Sequence, residues 1–241
     1  MKNTTYKVAL ITGGTKGIGF GIAQALLDEN INVAITSRSS AKAHEAAGKL
    51  NAQSKTTAKA VGLKADVRSL ESQQEAVKDV LKEFGQLDIV IANAGLGHFA
   101  SIEDLTPEQW QETIDTNLTG AFNTIKASVE ALKASKGYYI TISSLAGTNF
   151  FAKGSAYNAS KFGVTGFTQA VMLDLRQYGI KVSTIMPGSV STYFNGNEPN
   201  DKDAWKIQSE DIGELVVDLL KMNPRVLPSK IEVRPTTPPS K

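Results

Sequence analysis

The 241 residues carry 26 basic and 24 acidic side chains, a net charge of +2, and no cysteine. So even a balance argues against a nucleic-acid or membrane-surface protein, and the missing thiols exclude disulfides and thiolate nucleophiles or thiolate metal sites; no metal is expected. The apolar run at residues 6–11 is too short for a signal peptide and nothing approaches the roughly 18 apolar residues of a membrane span, so a cytoplasmic protein is expected.

From the N-terminus, short β-branched runs alternate with longer helical patterns. Strands are predicted at residues 7–12, 32–37, 57–64, 87–92, 138–143, 181–186 and 230–233, and helices at 18–28, 41–53, 70–84, 107–134, 156–178 and 210–221. Thr106, Pro107 and Gln109 fit an N-cap, a first-turn proline and a capping-box partner, and Gly179 is placed to stop the sixth helix. Such alternation implies a parallel sheet covered by helices on both faces, the doubly wound α/β class. Residues 1–234 read as one domain. The Pro-rich tail, 235–241, is unsuited to regular structure and could cover a neighbour's surface.

The first strand runs into Thr12-Gly13-Gly14-Thr15-Lys16-Gly17-Ile18-Gly19, where the first helix opens. A helix N-terminus offers unpaired backbone N–H groups and partial positive charge, which suits a pyrophosphate. Gly13 can make the tight turn, while Gly17 and Gly19 allow close backbone approach. Glycine spacing alone also fits an ordinary connection. The later strands, however, end in similar punctuation: Ser37-Arg38, Asp66-Val67, Asn93-Ala94-Gly95, Ser143-Ser144 and Pro187-Gly188. In such sheets ligands bind outside the carboxyl ends of the strands, and here the polar groups all fall on that rim.

The sixth helix begins Tyr157-Asn158-Ala159-Ser160-Lys161, so Tyr157 and Lys161 share one helix face and can look into the crevice beside Ser144. Bringing a phenol from its reference pKa near 10 to about 7 takes roughly 4 kcal/mol of preferential phenolate stabilisation. A close ammonium has the right sign for this, and desolvation opposes it. A Y-x3-K pair also occurs on many helices as a packed ring and a solvated charge. What lifts this pair is its order and spacing with the glycine turn, Asn93-Ala94-Gly95, Asn117, Ser144 and Pro187-Gly188.

With these motifs the chain resembles the single-domain short-chain dehydrogenase/reductase family over nearly its whole length. The resemblance implies a Rossmann-type fold with a seven-stranded parallel sheet. It places the dinucleotide on Thr12, Gly13, Thr15, Lys16, Gly17, Ile18 and Gly19, the adenine on Asp66 and Val67, and the support of the fourth strand's end on Asn93, Ala94 and Gly95. It implies a catalytic set of Asn117, Ser144, Tyr157 and Lys161. Tyr157 would pass a proton to a carbonyl oxygen that Ser144 steadies. Lys161 would favour the phenolate and reach the nicotinamide ribose, and Asn117 would place a relay water. Pro187, Gly188, Val190 and Thr192 would cover the nicotinamide. Without the resemblance, Asn117 could simply interrupt a helix and Ser144 could be a turn residue. One departure is Ala92, where the family often has a second asparagine.

Residues 31–44 contain no acid to meet an adenosine ribose, whereas Arg38, with Lys16 and Ser37 or Ser39, could pair with a 2′-phosphate. NADP(H) is therefore the expected cofactor. An apolar substrate pocket is expected from His98, Leu145, Phe150, Phe151, Tyr193 and Phe194 beside Ser144. The expected activity is NADPH-dependent carbonyl–alcohol interconversion on a small molecule. The runner-up is a 3-oxoacyl-carrier-protein reductase, although the ending V-L-P-S-K-I-E-V-R-P departs from the glycine-rich ending common there. A non-catalytic NADP-binding regulator is the remote alternative. The long helices at 107–134 and 156–178 would pair between subunits in a homodimer or homotetramer.

Overall fold

Alternate side chains of the first strand leave it on opposite faces: Ala9 and Ile11 join one apolar cluster, Val8 and Leu10 the other. All four are buried, the pattern of a strand with helices on both sides. In the computed structural model, which describes residues 7–237, the strands are β1 Val8–Thr12, β2 Asn32–Ser37, β3 Ala60–Lys64, β4 Ile89–Ala92, β5 Tyr138–Ile142, β6 Lys181–Pro187 and β7 Lys230–Val233. The helices are α1 Gly17–Asp28, α2 Ser40–Gln53, α3 Leu70–Phe84, α4 Pro107–Ile114, α5 Gly120–Ser135, α6 Ser155–Leu175 and α7 Ser209–Lys221. The strands form one parallel sheet in the order β3-β2-β1-β4-β5-β6-β7. Its order reverses between β1 and β4, the switch point at which such sheets open a crevice.

The two faces are filled by different helices. Ile22 and Leu26 of α1, Leu50 of α2 and Val216 of α7 pack on the first face; Val77 of α3, Leu132 of α5 and Val164 of α6 pack on the second. None of the helices among the described residues is long and apolar enough to cross a membrane.

Beyond shifts of a single residue, four predicted elements differ. The third strand starts at Ala60 rather than 57, because Thr56 Oγ1 donates to Leu27 O (2.7 Å) and accepts from Ala58 N (3.2 Å), which spends that stretch on a turn. The fourth starts at Ile89 rather than 87: the buried Asp88 carboxylate accepts from Lys7 N and Val8 N, both at 2.9 Å, and so pins the entry to β1. The expected helix 107–134 is split by a π turn, Asp115–Thr119. The sixth helix tightens into a 3₁₀ turn, Arg176–Tyr178, before left-handed Gly179. Of the expected tail, residues 238–241 lie outside the described residues.

Candidate active site

The strand ends border a crevice of about 810 Å³. Its floor is tied together by Thr12 and Asn93. Thr12 Oγ1 accepts from Asn93 N (3.0 Å) and Ala94 N (3.1 Å), and Asn93 Nδ2 donates to Thr12 O (2.9 Å) and Gly13 O (3.1 Å). Gly13 is left-handed (φ 65°), and a Cβ on it would lie 2.9 Å from Ala94 Cα. A Cβ on Gly19 would lie 2.5 Å from Asn93 Nδ2 and 2.7 Å from Gly13 O. Gly13, Thr15, Lys16, Gly17 and Ile18 border the crevice, while Thr12 and Gly19 lie outside its lining and support it. No side chain caps α1, whereas Ser39, Ser69 and Thr106 cap α2, α3 and α4. The first N–H groups of α1 and a backbone stripped of side chains therefore fit a pyrophosphate.

At the ends of β2 and β3 the crevice is bordered by Ser37, Arg38, Asp66, Val67 and Arg68. Ser39 is not among them, because its hydroxyl accepts from Lys42 N (3.4 Å) as the α2 cap. Asp66 is gripped by Arg68, with Nη2 to Oδ2 at 2.6 Å and Nε within 3.1 Å of both oxygens. That hydrogen-bonded guanidinium, helped by the charge of Arg38, holds the Asp66 carboxyl below the usual carboxylate range. The buried Asn123 Nδ2 donates to Val67 O (2.8 Å) and fixes that wall from behind. Arg68 was not singled out from the sequence; its position directly after Asp66-Val67 is the signal that could have found it.

At the reacting end, Ser144, Tyr157 and Lys161 come together. Tyr157 and Ser144 share a side-chain hydrogen bond, and Lys161 Nζ lies 5.7 Å from the Tyr157 ring centroid. Ser144 Oγ also accepts from Ala146 N (3.0 Å), which orients it. Lys161 is buried and donates to Ile142 O at 2.9 Å. The dry surroundings push Lys161 down to about 8. They push the Tyr157 phenol up, and the hydrogen bond from Ser144 pulls it partly back. Desolvation thus outweighs the hydrogen bond, and the phenol lies above its ordinary range rather than being lowered as expected from a close ammonium. Asn117 is buried in the π turn and does not border the crevice. Its Oδ1 accepts from Leu96 N (2.9 Å), and its Nδ2 donates to Leu96 O (2.8 Å) and Ser160 Oγ (2.9 Å). Ser160 Oγ in turn donates to Tyr157 O (2.8 Å), so Asn117 joins the loop after β4 to the helix that carries the phenol.

Asn93, Ala94, Gly95, Pro187, Gly188, Val190 and Thr192 all border the crevice. Of the expected substrate pocket, His98, Ser144, Tyr193 and Phe194 do so, but Leu145, Phe150 and Phe151 do not. Phe150 is 86% exposed, Leu145 packs against Gly188, and Phe151 meets Phe99 at 5.8 Å between ring centroids. His98 Nε2 is 2.9 Å from Glu112 Oε2, a partner on α4 that no sequence motif marks.

A doubly wound parallel sheet with this crevice at its switch point is a Rossmann-type fold. The family model described as short chain dehydrogenase matches residues 7–203, and the chain belongs to that family of oxidoreductases, whose members bind nicotinamide cofactors. Trans-4-hydroxycyclohexanecarboxylate dehydrogenase of Sinomonas cyclohexanicum is 37% identical over 223 residues, 88% of this chain and 85% of that protein. The structure of an alcohol dehydrogenase from the archaeon Thermococcus sibiricus, complexed with 5-hydroxy-NADP, matches with a TM-score of 0.90 at 31% identity, covering 98% of this chain and all of that one. A 3-ketoacyl-ACP reductase from Sinorhizobium meliloti matches with a TM-score of 0.85 at 32% identity, over 94% of this chain and 97% of that one.

Proposed function

We propose that this chain is an NADPH-dependent oxidoreductase that interconverts a carbonyl and an alcohol, with Tyr157 as the proton-transfer group. The observation that carries the reading is the hydrogen bond between Tyr157 and Ser144 beside the buried Lys161, in the crevice that also holds the glycine turn and Arg38. Bound NADPH supplies a hydride. The glycine turn at Gly13 and Gly17 and the open end of α1 hold its pyrophosphate. Asp66 and Val67 border its adenine, and Arg38, with no acid in residues 31–44 to oppose it, takes the 2′-phosphate. The cofactor named for the Thermococcus sibiricus structure supports the same choice.

Burial keeps the Tyr157 phenol protonated at neutral pH, the form a proton donor needs. Ser144 holds the phenol by its hydrogen bond and steadies the carbonyl oxygen. Lys161, anchored on Ile142 O, favours the phenolate left behind when the proton moves. Asn117 is a positioning residue, acting through Leu96 and Ser160. The exposed rings of Trp110, Phe122 and Phe162 on α4, α5 and α6 support pairing of those helices between two copies.

Tyr157→Phe tests the reading. Turnover should fall by about 10²–10⁴-fold while NADPH binding stays intact; retained turnover would sink it. The similarity to a 3-ketoacyl-ACP reductase favours a second reading, reduction of an acyl thioester, which a carrier-protein thioester assayed beside simple ketones separates.

A further inference from the structure

Three loops supply the rings gathered at Tyr157. Phe99 comes from the loop after β4, Phe151 from the loop before α6, and Phe194 from the short turn after β6. Phe99 and Phe194 lie 5.4 and 5.7 Å from the Tyr157 ring, at interplanar angles of 67° and 55°. Phe99 also meets Phe151 at 5.8 Å and Phe194 at 6.4 Å. These are the tilted and edge-on arrangements in which aromatic rings attract.

The backbone makes room for the cluster. A Cβ on Gly97 would lie 2.9 Å from Phe99 Cζ and 3.1 Å from Phe194 Cζ, and one on Gly154 would lie 2.5 Å from Phe151 Cε2. Two glycines in different loops therefore bed the same set of rings. Yet the rings are not a sealed core, since Phe99 is 39% and Phe151 49% exposed. Phe194 and Tyr157 border the crevice, while Phe99 and Phe151 back them at its rim, so half-covered aromatic surface continues outward from the reactive hydroxyl, a place where a substrate's apolar part can rest.

The charge on this wall is also telling. His98 and Glu112 are turned on one another at 2.9 Å. The pair therefore offers an anionic substrate no net positive charge, and of the other cations that line the crevice Arg68 is paired with Asp66, Lys206 with Asp203 (both 2.6 Å) and Lys161 is bonded to Ile142 O, while Lys16 and Arg38 belong to the glycine turn and the end of β2.

Resting on the reading of Tyr157 as proton donor, we propose that the ring cluster selects uncharged ketones whose carbonyl carbon lies in or directly on an alicyclic or aromatic ring. A rigid ring presents flat faces to Phe99 and Phe194 and loses little internal freedom on binding, whereas a flexible chain pays entropy for every bond it must order. In the reaction the carbonyl carbon gains the hydride of NADPH and the carbonyl oxygen gains the Tyr157 proton, giving a secondary alcohol and NADP⁺.

The test compares kcat/KM with NADPH for cyclohexanone, acetophenone, 2-octanone, the N-acetylcysteamine thioester of 3-oxobutanoate, and 4-oxocyclohexanecarboxylate. Cyclohexanone and acetophenone should exceed 2-octanone and the thioester by at least tenfold, and cyclohexanone should exceed its carboxylated analogue. Phe99→Ala should erase most of that preference, chiefly through KM, with the Kd for NADPH unchanged. Phe99→Leu, which keeps apolar bulk without the ring, should do the same if the alanine variant fails to fold. Equal efficiency on chain and ring ketones, faster reduction of the carboxylated ring, or an unaltered preference in both variants would overturn the proposal. Tyr157→Phe separates it from the reading beneath it: loss of turnover on every substrate leaves that reading standing whatever the preference, and an active Tyr157→Phe enzyme removes the reading itself.

Discussion

Where β1 meets β4, the crevice floor consists of polar groups that satisfy one another: Thr12 serves two backbone N–H groups, Asn93 serves two carbonyls, and Asp88 below them holds the entry to β1. Where β5 meets α6, the Lys161 ammonium has one hydrogen bond among the described residues, to Ile142 O, and both it and Tyr157 are displaced from their ordinary protonation behaviour by dry surroundings. The two ends of one rim thus carry opposite accounts of stability. Paired polar groups hold the floor together, whereas the reacting end keeps an ammonium, Lys161, whose burial works against the fold, a pattern common where chemistry is done.

The comparison sharpens most at Lys161. Its pKa falls from 10.5 to about 8, so between those values the unfolded chain binds more protons than the folded one. The burial cost is therefore present in full below about pH 8 and is relieved as pH rises toward 10.5. Lys161→Met should raise stability at pH 7 by up to about 3 kcal/mol, less the lost bond to Ile142 O, while turnover collapses. Denaturant titrations at pH 7 and 9.5 check both sign and window: a gain that grows with pH would refute the assignment. At the floor the sign reverses. Thr12→Val takes the acceptor from Ala94 N and leaves Asn93 N only its bond to Ile91 O (3.1 Å), and should destabilise by about 2 kcal/mol, read from the shift in urea midpoint. An unchanged midpoint would erase the contrast between the two ends. On stability the smallest effect is expected at Arg38, which touches neither account and acts on cofactor choice instead. Arg38→Ala should lower kcat/KM with NADPH by about 30-fold, roughly 2 kcal/mol, and leave NADH within twofold. A parallel loss with both cofactors would count against a 2′-phosphate contact.

What was legible in the sequence follows the same division. β1 could be read because a fully buried strand leaves an unbroken apolar run, and its end because the left-handed turn at Gly13 demands glycine. The meeting of Tyr157 with Lys161 was legible because helical spacing alone puts them on one face. The break at Asp115–Thr119 was legible only as the alternative that Asn117 interrupts a helix, since what accompanies the π turn is a tertiary event, the bonding of Asn117 to Leu96 and Ser160. Phe150 and Phe151 look alike in sequence, yet only the second docks on Phe99, because loop direction rather than composition decides which ring turns inward. The Arg68 grip on Asp66 depends equally on a loop conformation that no periodicity encodes.

The π turn has one more consequence. Gly120 N bonds back five residues to Asp115 O, so α4 and α5 are out of phase as though one residue had been slipped between them. A chain shortened by one residue at that point would run as a single regular spiral, and everything upstream would swing by about 100° about its axis. The hinge between the two halves is therefore counted in residues, and length here is as stringent a requirement as chemistry.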